Sequence, residues 1–84
     1  MSVSANSVVS SIYDNKAKFF STPFFSKNDE VAVRDFVDVI EHSDNPMSKN
    51  RDDYSLVSIG SFNADTGILV ATEPKTLFSG SNLD

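Results

Sequence analysis

Eighty-four residues with a formal net charge of −5 and no cysteine make one small domain. The composition excludes disulfides, zinc–thiolate centres and thiol catalysis, and no apolar run approaches the ~20 residues a membrane span requires. An acidic chain is also a poor candidate for wrapping DNA, because phosphate affinity is supplied by clustered Lys and Arg. A domain of this size buries only about 60–65% of the surface its unfolded chain exposes, so its stability is modest unless a partner adds burial. Met1 to Asn6 lacks the basic and apolar regions of a secretory signal, and a soluble, intracellular protein is expected.

In chain order, the Ser- and Asn-rich residues 1–6 read as a flexible tail preceding an ordered core over about residues 7–75. Val8 to Tyr13 is short and β-branched, which predicts a first strand. Asp14-Asn15 is a turn signal. Lys16 to Phe25 carries two Phe pairs and reads as partly extended, partly buried chain. Pro23 biases Thr22 away from helix and confines any strand here to an edge.

Asp29 to His42 reads as one amphipathic helix. Ala32, Val33, Phe36, Val37, Val39 and Ile40 share one face, and Glu30, Arg34, Asp35, Asp38, Glu41 and His42 share the other. Ser26 or Asn28 is placed to cap it, and Asp29 and Glu30 sit where the positive end of the helix dipole favours acids. Ser43-Asp44-Asn45-Pro46 ends the helix, and residues 44–53 read as a polar loop in which Asp52 and Asp53 are solvated.

Tyr54 to Phe62 then reads as the longest strand, apolar on both faces and therefore central. Asn63-Ala64-Asp65-Thr66-Gly67 is hairpin chemistry. Ile68 to Thr72 is the return strand, stopped by Glu73-Pro74, and residues 79–84 read as a second flexible tail. The pattern predicts an α+β, two-layer fold: a small antiparallel or mixed sheet of three to four strands with the helix packed on one face. The apolar stripe of the helix should lie on the sheet completed by Tyr54 to Thr72.

Signals for catalysis are weak. Asp65-Thr66-Gly67 matches the triplet of aspartic proteases, which pair two such carboxylates around one proton, but the apolar strand and the following element those enzymes need are missing, and a hairpin turn explains the residues. Asn63, Asp65 and Gly67 graze a calcium loop whose later acids are absent. His42 at a helix C-terminus is favourable to the dipole without any role as a base. Nothing assembles a nucleophile, a base and an oxyanion site, so no enzyme, metal or cofactor is expected.

Charge is spread unevenly. Residues 15–27 hold Lys16, Lys18 and Lys27 with no acid, whereas residues 28–45 hold Asp29, Glu30, Asp35, Asp38, Glu41 and Asp44 against Arg34 alone. The basic stretch is also the aromatic one, with Phe19, Phe20, Phe24 and Phe25. Aromatic platforms beside lysines hold single-stranded nucleic acid without sequence preference. A domain with no Trp also needs Phe for its core, and in adjacent pairs one ring usually faces in while the other covers an edge or a partner.

The segments Ile12-Tyr13-Asp14-x-Lys16-Ala17, Pro23-Phe24-Phe25-x-x-Asn28-Asp29-x-Val31-Ala32-x-Arg34-x-Phe36 and Tyr54-x-Leu56-x-x-Ile59-Gly60-x-Phe62-x-x-x-Thr66-Gly67 resemble the small non-structural protein of gokushoviruses. These are single-stranded-DNA phages of the Microviridae. The resemblance spans roughly residues 8–78 and is most specific from Pro23 to Phe36. It implies a role in making or packaging the single-stranded genome, in the host bacterial cytoplasm. Together with the residues it predicts a protein–protein adaptor for a phage or host replication or packaging protein. Its partner face would be Glu30, Asp35, Asp38 and Glu41, and its open sheet edges would invite self-association. The alternative is weak, direct binding of single-stranded DNA through Lys16, Lys18, Phe19, Phe20, Phe24, Phe25 and Lys27.

Overall fold

In the computed structural model of the chain, residues 6–42 and 46–83 are described. Strand β1 (Asn6–Asp14) is followed by two short strands, β2 (Phe19–Phe20) and β3 (Phe24–Ser26). Helix α1 (Asp29–His42) and a one-turn helix α2 (Pro46–Lys49) come next. A 3-10 turn (Arg51–Asp53) leads into the hairpin of β4 (Tyr54–Asn63) and β5 (Ile68–Ser79), and a second 3-10 turn (Gly80–Leu83) closes the chain. All strand pairs are antiparallel, and the lateral order is β2-β1-β4-β5, with β3 also paired to β1. Hence β2 and β3 are two pieces of one broken edge strand, and α1 crosses the sheet from β3 over β1 and β4 to β5.

The α+β architecture is as the pattern predicts, with a five-stranded, wholly antiparallel sheet in place of three to four strands. Helix α1 has the bounds its periodicity gives. Asn28 is the cap: its Oδ1 accepts the Val31 N–H at 2.9 Å, and its carbonyl accepts the Ala32 N–H, the usual arrangement at a helix start. Ser26 lies instead at the end of β3, buried.

The core forms where α1 meets the middle of the sheet. Ala32, Phe36, Ile40 and Leu56 are essentially fully buried, and Val8, Ile12, Phe24, Val33, Met47, Tyr54, Leu77 and Phe78 pack around them. The Phe36 and Phe78 rings meet edge to face at 6.2 Å. The register explains the grouping, since Ile12 pairs with Leu56 and Leu56 with Phe78, so all three share one side of the sheet.

Three expectations are corrected here. The return strand does not stop at Glu73-Pro74 but continues to Ser79. Thr72, Glu73 and Pro74 lie between Ala71, opposite Gly60, and Lys75, opposite Ser58, where the ladder slips. A proline at an edge-strand bulge needs no ladder hydrogen bond. The helix is therefore underlain by Leu77 and Phe78, while Ile68, Leu69 and Val70 stand 57%, 61% and 48% exposed, beyond its reach. Residues 46–53, read as loop, hold α2 and a 3-10 turn; α2 starts on Pro46, whose missing N–H costs nothing at a first helical position. Residues 80–83, read as tail, form a turn in which Gly80 is buried. A Cβ on Gly80 would collide with the Arg51 backbone carbonyl, so only glycine allows this approach. Of the expected tail at 1–6, Asn6 already belongs to β1; residues 1–5, the expected helix stop at 43–45 and Asp84 lie outside the described residues.

Candidate functional site

The β1–β2 connection is built by one side chain. Asp14 Oδ1 accepts the N–H groups of Lys16 at 2.9 Å and Ala17 at 3.0 Å, and the Asp14 carbonyl accepts the Lys18 N–H at 2.7 Å. The turn closes with Lys18 at φ 62°, left-handed without being glycine. The β4–β5 turn repeats the device. Asn63 Oδ1 accepts from Asp65 and Thr66, the Asn63 carbonyl accepts from Gly67, and Gly67 has φ 76°. Asp65 is thus an exposed residue of a hairpin turn.

The first turn presents Lys16 and Lys18 to solvent and is docked on the 3-10 turn before β4. The Asn15 N–H donates to the Asp53 carbonyl at 2.7 Å, and Lys16 Nζ lies 4.0 Å from Asp53 Oδ2. With the Lys16 side chain 80% exposed, that ion pair contributes little stability. Its interest is positional. Lys16 forms one wall of a polar cleft completed by Ser48, Lys49, Asn50, Arg51, Asp52 and Asp53. Sequence reasoning missed Lys49 and Arg51. They stand more than thirty residues from Lys16, and only the docking of the two turns brings the three cations to one end of the molecule.

The Phe-rich segment divides by strand alternation. Phe20 pairs with Tyr13 and Phe25 with Val9, so both point to the side of the sheet away from α1. The Phe20 and Tyr13 rings lie 4.7 Å apart, and Phe25 meets Phe62 edge to face at 5.4 Å. Phe24 points the other way and packs, partly buried, against the core under α1. Phe19 is 59% exposed at the tip, and Lys27 is exposed just after β3. The break between β2 and β3 is bridged by hydroxyls: Ser11 Oγ donates to the Ser21 carbonyl at 2.8 Å, and Ser21 Oγ accepts the Ile12 N–H at 3.0 Å.

A family model described as Phage ORF5 protein matches residues 7–83. The chain belongs to this bacteriophage family. No curated protein and no solved structure matches it.

The opposite electrostatic face is the outer side of α1, where Asp29, Glu30, Asp35, Asp38 and Glu41 are all exposed. This phage protein therefore carries a row of five acids on the helix, and at the β1–β2 end it gathers Lys16, Lys49 and Arg51 beside Asp52 and Asp53. His42 ends α1, and its side chain lies outside what is described. No described helix is long and apolar enough to cross a membrane.

Proposed function

We propose that this phage protein works without catalysis, as a weak, sequence-independent binder of single-stranded DNA, along the edge formed by β2 and β3. The observation that supports this most is that Tyr13, Phe20, Phe25 and Phe62 lie on the sheet face that α1 leaves uncovered, with Lys16 and Lys18 at one end and Lys27 towards the other. Tyr13 and Val9, the partners of Phe20 and Phe25, are four residues apart on β1, or about 13 Å at strand rise, a span of about two extended nucleotides. Bases stacking on such rings contribute about 1–3 kcal/mol each, and Lys49 and Arg51 extend the basic end towards a phosphate backbone. The gokushovirus resemblance fits this role in making or packaging a single-stranded genome inside the bacterial host.

A second reading keeps the adaptor role for a phage or host replication or packaging protein. It is favoured by the row Glu30, Asp35, Asp38 and Glu41, all exposed on the outer side of α1.

Titration with a fluorescent oligonucleotide at low and moderate salt separates the two. Direct binding predicts affinity that falls steeply with salt, weakens on Lys16→Glu with Lys18→Glu, and weakens with a nearly unchanged salt slope on Phe20→Ala. Absence of binding even at low salt removes the first reading and leaves the adaptor. The adaptor then predicts that Asp35→Lys with Asp38→Lys abolishes recovery of a phage or replication protein from infected cells.

A further inference from the structure

We propose that the Ile68–Thr72 edge of β5 pairs antiparallel with the same edge of a second copy of this chain, with Val70 on the two-fold axis. β5 is the last strand of the sheet order, so among the described residues one side of it has no strand beside it. Open edges template pairing with other chains, and proteins usually blunt them with short strands, charge, proline or bulges. This chain blunts the rest of its perimeter. The opposite edge is two fragments, of two and three residues, separated by a gap that contains Pro23. The second half of β5 starts with the bulge at Thr72-Glu73-Pro74. Ile68 to Ala71, ahead of that bulge, has no such device: it carries no charge and no proline, and its three large apolar side chains stand about half exposed or more.

The segment is also complementary to itself. Pairing centred on Val70 sets Leu69 against Ala71 of the second copy and Val70 against Val70, and brings Ile68 to its Thr72, where the bulge ends the paired stretch. A large side chain thus meets a small one, and two β-branched residues meet at the axis, which is favourable cross-strand chemistry. On the face away from α1, Leu69 and Ala71 border an apolar groove of about 290 Å³ whose floor is Val9 and Gly60. Two-fold pairing extends that groove across the junction. The area sets the strength. Ile68, Leu69 and Val70 together offer on the order of 300 Å² of apolar surface a copy, well under the ~800 Å² per partner of a stable interface. The dimer is accordingly weak and forms with rising concentration.

Sedimentation velocity over a concentration series tests this on the full chain. The wild type shifts from monomer to dimer, whereas Val70→Lys and Val70→Glu, each placing like charges face to face on the axis, remain monomeric. An equimolar mixture of those two variants restores the dimer. Val70→Cys, in a chain with no native cysteine, gives a disulfide-linked dimer in air, while Phe19→Cys, at a more exposed position on the opposite edge of the sheet, does not. A wild type that stays monomeric at its solubility limit overturns the proposal. So does undiminished association of Val70→Lys, a mixture that fails to associate, or equal cross-linking at positions 19 and 70. Because these readouts concern assembly alone, they succeed or fail independently of oligonucleotide binding.

Discussion

Lys18 occupies a backbone conformation that costs an L-residue about 1–2 kcal/mol and costs glycine nothing. Replacing it with glycine relieves that cost but adds about 0.5–1 kcal/mol of unfolded-chain entropy, so Lys18→Gly should stabilise the fold by about 0.5–1 kcal/mol. In a domain of this size that raises Tm by about 2–8 °C. The β4–β5 turn supplies the mirror experiment. Gly67 has the same left-handed φ, and a Cβ there meets nothing within 4 Å, so Gly67→Ala carries no clash and should lower stability by a similar about 0.5–1 kcal/mol. Thermal and urea unfolding followed by circular dichroism measure both. If Lys18→Gly fails to raise Tm while Gly67→Ala lowers it by that amount, the left-handed Lys18 carries no strain. A second readout addresses function. A lysine kept where glycine would be more stable is the pattern of a site that trades stability for binding. Lys18→Gly should therefore also weaken oligonucleotide binding and reduce its salt slope by about 1. Stabilisation with unchanged binding would remove Lys18 from the site.

Two further substitutions probe the sheet. Ser10 is fully buried beneath α1, and its hydroxyl has no hydrogen-bond partner among the described residues. Removing an unsatisfied buried hydroxyl should offset its desolvation cost, so Ser10→Ala should raise stability by about 1 kcal/mol, read from the urea midpoint at constant m. Gly60→Ala should do the reverse: its Cβ would strike the Val70 backbone carbonyl across the β4–β5 ladder. Loss of at least about 2 kcal/mol is expected, with hydrogen exchange accelerated at residues 68–71; unchanged protection there would show that the strands stay paired and that the clash is relieved elsewhere.

The legible parts of this chain were those with local causes. The helix was readable to its ends because the stripe Ala32-Phe36-Ile40 has helical spacing and Asn28 sits three residues before Val31, the N–H it caps. The β4–β5 turn was readable because Asn63 and Gly67 are the residues such a loop demands. The failures trace to tertiary context. Pro74 reads as a strand stop, and nothing local says that a bulge will pass it, so Leu77 and Phe78 were left out of the core and Ile68 to Val70 were wrongly put beneath the helix. Among the candidate contacts, the alternation that buries Phe24 and exposes Phe25 follows once β3 is known to pair with β1. The placing of Phe19 and Phe20 at the tip depends on the Ser11–Ser21 bridge, and the arrival of Lys49 and Arg51 beside Lys16 depends on Asn15 docking onto Asp53. Neither has a sequence signature.

The separation of the acidic row on α1 from the lysines and arginine at the β1–β2 end has a kinetic consequence. A polyanion drifting towards the helix side meets repulsion, and one reaching the β1–β2 end meets attraction, so collisions are sorted by orientation before any ring is touched. The torque falls away beyond the Debye length, about 8 Å at physiological salt, so added salt should slow capture at least as much as it hastens release.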